Sequence, residues 1–256
     1  MIAVERQQCI IDALHQRNVV TVGDLSRELD VTEETIRRDL DKLEAQEVIW
    51  RVHGGAYLRT PTNGGDVPVD TRRNMCTEEK TRVAKRCMDY IKDDDVLMLD
   101  NSTSVLHLAT ELKSSNRRVT VITNCLAIIE ELTGCSQIDL ILLGGTMNHS
   151  SRDFSSTVTQ KFLDQFHAKK AFISCSGIST ASGLTDYNEN NAAIRRKMLL
   201  NSDVRFFMSD TTKVGKSMIH VVGELGLLDY VIVDRPVDQD FQDALEAHHV
   251  TFVSCK

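Results

Sequence analysis

The chain has 256 residues, 41% hydrophobic and 26% charged, with a net charge of −7 at pH 7, which fits an ordinary globular protein of one large domain or two unequal ones. An acidic balance excludes a general polyanion binder, so any nucleic-acid contact has to rest on a local patch. No apolar run approaches the roughly 20 residues that cross a bilayer, and the amphipathic, early-charged start MIAVERQQCIIDALHQ is a poor signal peptide, so a cytoplasmic location without a membrane partner is expected.

The first sixty residues predict three short helices. The first runs from about Val4 to Gln16, with Ile10, Ile11 and Leu14 as its apolar stripe; Asn18 and the β-branched VVTV break it. The second runs from about Val22 to Leu29. Thr21 is its N-cap, and Asp24 stands in a capping-box-like position. The third begins after the N-cap Thr32, with Glu33 and Glu34 where the helix dipole favours anions, and ends near Glu44 to Gln46. Only about three residues separate the second and third helices, the spacing of a helix-turn-helix.

At 100° per residue, Ile36, Leu40 and Leu43 fall on one stripe of the third helix and Arg38 points almost directly away, with Thr35 and Arg37 on the shoulders. A recognition helix in a major groove needs an apolar back and forked donors for guanine edges or phosphates. The following VIWRVHGGAYL predicts a hairpin turning at Gly54-Gly55, a wing on which Arg51, His53 and Arg59 would face the DNA backbone. Residues 1–60 nevertheless hold eight basic against eleven acidic side chains, a net of −3. The usual test for a basic domain fails, and a small acidic helical domain for protein contacts stays open as an alternative.

Residues 59–76 predict a linker. RTPTNGGDVPVDTRRNMCTEEK carries Pro61, Pro68 and Gly64-Gly65, with no helical period until Thr77. From Thr77 to the end, helices alternate with continuous apolar strands. The strands are Val96–Asp100, Val119–Thr123, Ile138–Gly145, Lys170–Gly177, Val204–Asp210, Asp229–Asp234 and Val250–Ser254. That rhythm predicts a Rossmann-like parallel sheet covered on both faces, with ligands beyond the carboxyl ends of the strands. Those ends carry Asn101 to Ser104, Thr123-Asn124, Gly144-Gly145, Ser174 to Gly177 and Asp210 to Lys213. Hydroxyl-rich turns that open helices present N–H groups to an anion, and Lys213 adds a charge, as a phosphorylated small molecule requires. Each loop alone is equally explained by local capping.

No dinucleotide fingerprint, P-loop, H-E-x-x-H or G-x-S-x-G is present. The seven cysteines stand singly, without C-x-x-C spacing, which argues against disulfides and a zinc site. No cofactor, metal or catalytic residue is expected.

Arg6, Ile10 and Leu14, then VTVGDLSRELDVTEETIRRDLDKLE, then RVHGGAYL, resemble the DeoR family of bacterial transcription regulators. The T-I-R-R-D-L string at Thr35 to Leu40, followed by H-G-G-A at His53 to Ala56, is specific to that family, and the resemblance extends over nearly the whole chain. It implies a winged helix-turn-helix over residues 1–58, with Thr35, Arg37 and Arg38 facing operator DNA and Asp39 pairing with neighbouring arginines to orient them. Over residues 77–256 it implies a sensor domain with a fold like ribose-5-phosphate isomerase and glucosamine-6-phosphate deaminase, binding a phosphorylated sugar or polyol. The matching positions are Asp100, Thr103, Ser104, Thr123, Asn124, Gly144, Gly145, Gly177, Asn188, Glu189, Asp210, Lys213 and Gly215. Ser102 also stands in the first loop, where the family commonly has glycine. Ser156, Ser179 and Asn191 depart as well, from glycine, an acid and glutamate. The implied function is repression of a carbohydrate operon by a homodimer or homotetramer. The alternative is a sugar-phosphate isomerase or deaminase with an appended helical module, whose general base would be Asp100, Glu189 or Asp210.

Overall fold

The computed structural model describes residues 1–17, 19–46, 48–52, 54–58 and 69–255. The chain divides into two compact units, Met1–Cys76 and Thr77–Lys256.

In the first unit, α1 (Ala3–Arg17), α2 (Val22–Glu28) and α3 (Glu33–Ala45) surround a three-stranded antiparallel sheet of β1 (Val19–Thr21), β2 (Ile49–Val52) and β3 (Gly55–Leu58), in the order β1-β3-β2. Both N-caps read from the sequence are present: Thr21 Oγ1 accepts from Asp24 N at 3.0 Å, and Thr32 Oγ1 accepts from Thr35 N at 3.3 Å. Between α2 and α3 the chain reverses at Asp30, whose φ is +50°. Ile36, Leu40 and Leu43 of α3 are buried with Ile10 and Leu14 of α1, Leu25 of α2, Ile49 of β2 and Ala56 of β3. The β-branched stretch after α1, expected only to end that helix, forms β1 and pairs with β3, Val20 opposite Ala56. Local pattern could not show this, because three residues become a strand only when a distant edge accepts them.

The two wing glycines have different jobs. Gly54 has a φ of +80°, as a tight hairpin turn requires. Gly55 lies inside β3, and a Cβ there would stand 2.1 Å from the carbonyl oxygen of Val20. Residues 59–68 lie outside the described residues. The remainder of the expected linker is not featureless, since α4 occupies Val69–Asn74.

The second unit is built on a seven-stranded parallel sheet. Its strands are β4 (Asp95–Leu99), β5 (Val119–Thr123), β6 (Ile138–Leu142), β9 (Ala168–Ile173), β12 (Ser202–Ser209), β14 (Tyr230–Val233) and β15 (Thr251–Ser254), in the order β15-β14-β12-β9-β4-β5-β6. Successive residues serve opposite faces: Leu97, Leu99, Phe206 and Met208 pack in one cluster, Met98 and Phe207 in the other. On the first face lie α5 (Thr77–Met88), α6 (Thr103–Lys113) and α7 (Leu126–Leu132). On the second lie α8 (Thr157–Leu163), α9 (Glu189–Leu200) and α10 (Gln239–Ala247). The chain also forms a two-stranded ribbon of β7 (Met147–Asn148) and β8 (Asp153–Phe154), and a small antiparallel sheet of β10 (Gly177–Ser179), β11 (Gly183–Asp186) and β13 (His220–Gly223). The sequence rhythm shows neither, being too short and too polar for a periodic signal. No helix among the described residues is long and apolar enough to cross a membrane.

Strand order reverses at β4: β5 and β6 lie on one side of it, β9 and β12 on the other. The carboxyl ends of β4 and β9 therefore flank the switch point of the sheet, where ligands bind in such folds.

The Gly55 contact sets the first prediction. Gly55→Ala drives a methyl group into the backbone of β1, and we expect a loss of about 1–3 kcal/mol. Trp50, the single tryptophan of the chain, sits on β2 and reports the unfolding of this unit by its fluorescence in urea.

Candidate functional site

The outward face of α3 is built by its inward one. With Ile36 and Leu40 fully buried, the 100° step leaves Arg37 and Arg38 in solvent. The Arg38 side chain is 75% exposed, and its Nε donates to Glu34 Oε1 at 3.2 Å. The Arg37 side chain is half exposed, and its Nη2 donates to Glu33 Oε2 at 2.6 Å. Thr35 is half-buried beside the cap, its hydroxyl 2.9 Å from that of Thr32. These three sequence-predicted residues share the exposed end of the helix.

Two other residues have partners within the unit. Arg51, expected to face a DNA backbone, donates Nη1 to the Arg37 carbonyl at 3.3 Å and lies 3.6 Å from Asp41. It fastens β2 to α3. Asp39, expected to pair with neighbouring arginines in a structural role, does pair with one, Arg6, which α1 brings beside it. It is buried and accepts from Arg6 Nε, and from Gln7 Nε2 at 3.1 Å, both on α1. A helix wheel cannot foresee a partner 33 residues away. His53 lies outside the described residues.

In the second unit the loops after β4 and β9 meet over a residue the sequence reading passed by. Arg195, on α9, is buried, and its guanidinium donates Nε to Asp100 at 2.6 Å, Nη1 to Asp186 at 2.6 Å and Nη2 to Asn101 Oδ1 at 2.9 Å. Burial works against its charge, but the carboxylates of Asp186 and Asp100 prevail and raise its pKa above the ordinary arginine value. Asp100 also accepts from the backbone N–H groups of Ser102 at 2.9 Å and Ser174 at 3.1 Å. Asp186 accepts from those of Ser176 at 3.3 Å and Asn188 at 3.1 Å. A buried arginine inside an amphipathic helix looks in sequence like any surface arginine, and only the two acids show otherwise.

Several residues expected to touch a ligand are already engaged by other groups of the protein. Asp100 is fully buried with both oxygens occupied. The Ser102 hydroxyl caps α6 by accepting from Val105 N at 3.3 Å, and the Thr123 hydroxyl accepts from Cys125 N at 3.1 Å. Asp210 accepts from Thr212 N at 3.1 Å. Burial opposes ionisation of Asp210, but Lys213 and the Thr212 hydrogen bonds outweigh it and hold its pKa below the ordinary aspartate value.

Others keep unused polar capacity. Thr103 is buried in the first turn of α6. The Ser104 hydroxyl beside it and Asn124 Oδ1 are buried without a hydrogen-bond partner among the described residues. Lys213 reaches back over β9, its Nζ donating to Ser174 Oγ at 3.0 Å. Glu189 is exposed in the first turn of α9. Gly144 and Gly145 follow β6, and a Cβ on Gly145 would strike Thr159 Oγ1 at 2.4 Å and Ser156 Oγ at 2.7 Å.

The unusual serines and asparagine have partners of their own. Ser156 Oγ accepts from Thr146 N at 3.3 Å. Ser179 Oγ lies 2.9 Å from Ser217 Oγ. Asn191 Oδ1 accepts from Asn101 Nδ2 at 3.3 Å. Asn101 also donates to Asp153, fully buried on β8, which the sequence reading missed and whose other oxygen lacks a partner among the described residues. Burial pushes the thiol of Cys175 up to about 12 and that of Cys125 to about 11, so neither is a nucleophile at neutral pH.

A three-helix module with a paired-strand wing and an arginine-bearing third helix, joined to a parallel α/β domain with polar loops at its switch point, is the build of a ligand-responsive transcription regulator. Residues 6–62 match the DeoR-like helix-turn-helix domain, and residues 75–235 match the DeoR C-terminal sensor domain. The chain is 34% identical to the HTH-type transcriptional repressor GlcR of Bacillus subtilis, over 96% of this chain and 94% of the relative. It is 28% identical to the glycerol-3-phosphate regulon repressor of Escherichia coli, over 98% of each. Among solved structures, ribose 5-phosphate isomerase A of Methanocaldococcus jannaschii matches 54% of this chain and 55% of its own, at 15% identity and a TM-score of 0.41. The chain belongs to the DeoR family of DNA-binding transcription regulators.

Arg195→Met strands two buried carboxylates at the switch point. Removing one partner of a buried ion pair costs about 3–5 kcal/mol, and urea denaturation followed by circular dichroism should show a loss of that size.

Proposed function

We propose that this protein is a repressor of a carbohydrate or polyol utilisation operon, released or engaged by a phosphorylated sugar or polyol bound at the carboxyl ends of its parallel strands. The observation that carries the reading is the division of α3, where a fully buried Ile36-Leu40 seam turns Arg37 and Arg38 into solvent. In this reading α3 enters the major groove of operator DNA, with Thr35, Arg37 and Arg38 facing the duplex and the hairpin beside it. A symmetric homodimer or homotetramer matches the two-fold symmetry of operators, and the cytoplasm is the place of work.

The ligand reading is supported by Thr103, Ser104, Asn124, the Gly144-Gly145 turn and Lys213, which supply hydroxyl, amide and ammonium groups around the switch point. Helix α6 opens in this loop, and the positive end of its dipole favours a phosphate. The relative named for glycerol 3-phosphate supports the same ligand class. An enzymatic reading needs a general base among Asp100, Glu189 and Asp210; Asp100 is engaged by Arg195 and two backbone N–H groups and Asp210 by Thr212, which leaves the exposed Glu189. Ligand control requires different affinities for the DNA-competent and incompetent states.

Two measurements test the proposal. Arg38→Ala should weaken binding to a DNA duplex selected by the wild-type chain by about 1–3 kcal/mol, with the urea midpoint unchanged because the side chain is exposed. Unchanged affinity in both Arg37→Ala and Arg38→Ala would remove α3 from the interface. Among sugar and polyol phosphates, the effector should raise the melting temperature, corresponding to about 2.7 kcal/mol at a hundredfold excess over its Kd; a panel without any shift argues against that ligand class.

A further inference from the structure

The two arginines of α3 are held by different atoms, and the difference assigns them different work. Glu34 takes Arg38 by Nε, the nitrogen nearest the chain, at 3.2 Å. The Nη1 and Nη2 groups of Arg38 donate to nothing among the described residues and stand at the end of a side chain that is 75% exposed. Glu33 instead takes Arg37 by Nη2, one prong of the terminal fork, at 2.6 Å. The Arg37 main chain is further fixed through its carbonyl by Arg51.

An arginine reads guanine by donating two parallel hydrogen bonds to O6 and N7. Its fork must be free and its long stem held, because a rotamer-rich side chain otherwise loses freedom on binding. A guanidinium whose fork is half used still offers charge to a phosphate but not an unoccupied pair of terminal donors. Both carboxylates precede their arginines by four residues on the helix, the favourable order for such pairs.

We propose that Glu34 is a specificity-determining positioning residue: it grips Arg38 by Nε and presents the Nη1/Nη2 fork to a guanine, while Arg37, with its fork shared by Glu33, contacts the phosphate backbone. The inference rests on the DNA-binding reading of α3. The Glu34–Arg38 pair persists in the complex with cognate DNA, so Glu34 strengthens selective binding even though its own charge repels the duplex.

The test uses the full chain, a duplex selected by the wild type from a random-sequence pool, and an unselected duplex of the same length. Because the pair stands in both the free and the bound protein, its own energy cancels, and what Glu34 contributes to affinity is the ordering cost spared to an already held stem. Glu34→Gln should therefore weaken binding to the selected duplex about two- to fivefold and tighten binding to the unselected one about twofold through the lost charge. These opposite signs separate positioning from simple electrostatics, under which both affinities rise together. In an Arg38→Ala background, Glu34→Gln should lose its effect on the selected duplex, as a double-mutant cycle reads directly.

Replacing guanines of the selected duplex singly by 7-deazaguanine removes N7. One substitution should weaken the wild type and leave Arg38→Ala indifferent. Arg37→Ala should weaken both duplexes alike and flatten the salt dependence by about 0.9 in log–log slope. The proposal is overturned if Glu34→Gln tightens both duplexes, or if Arg38→Ala rather than Arg37→Ala lowers both affinities equally. Failure of the underlying DNA-binding reading looks different: neither arginine variant changes any affinity, and the proposal falls with it. Urea denaturation monitored by Trp50 checks that each variant remains folded.

Discussion

A guanidinium almost sealed from water organises the sensor half. Charges leave water at a cost of several kcal/mol each, recovered only when geometry supplies partners for every donor. Arg195 meets that condition with Asp100, Asp186 and Asn101, and those acids each hold two backbone N–H groups in turn. Through them one side chain ties the loops after β4 and β9 to the end of β11. The switch point thus has a rigid floor, and in the proposed ligand reading Lys213 and the Ser104 hydroxyl stand on loops whose positions are already fixed. Preorganisation of this kind lowers the ordering cost of binding.

The DNA-binding half uses the opposite economy. Its helices are short, and isolated helices of that length are marginal in water. What fixes α3 is contact: its apolar stripe against α1, α2 and the sheet, Asp39 under Arg6 and Gln7, and Arg51 bracing its middle from β2. Two of these three supports are polar: Asp39, which pairs with an arginine as the sequence implies, and Arg51, which fastens β2 to the helix.

Sequence legibility follows the range of the forces involved. Capping is local, and Thr21 and Thr32 cap as their neighbours imply. Period-2 and period-3.6 burial patterns are local too, so the seven parallel strands and the helices beside them through α9 are readable within a few residues at each end. Elements that exist only through distant partners are not. β1 needs β3, β10 and β11 need each other, and Arg195 is indistinguishable from solvated arginines until β4 and β11 bring their aspartates to it. The ligand-facing loops suffer most, because serine, threonine and aspartate cap turns and bind phosphates with the same atoms. In Asp100, Ser102 and Thr123 the turn has claimed those atoms.

The acidity of the first sixty residues, at odds with a nucleic-acid-binding surface when counted as net charge, becomes intelligible atom by atom. Glu33 and Glu34 sit in the first turn of α3, where the helix dipole stabilises them, and each holds an arginine four residues on. Affinity for any duplex grows with the number of phosphates neutralised. A module that screens its own cations therefore binds random DNA weakly, and the quantity that governs occupancy of one site among many is the ratio of specific to non-specific binding. In the proposed homodimer or homotetramer, two such modules at fixed spacing would add their free energies on one operator, while the acidic surround of each discourages other stretches of DNA.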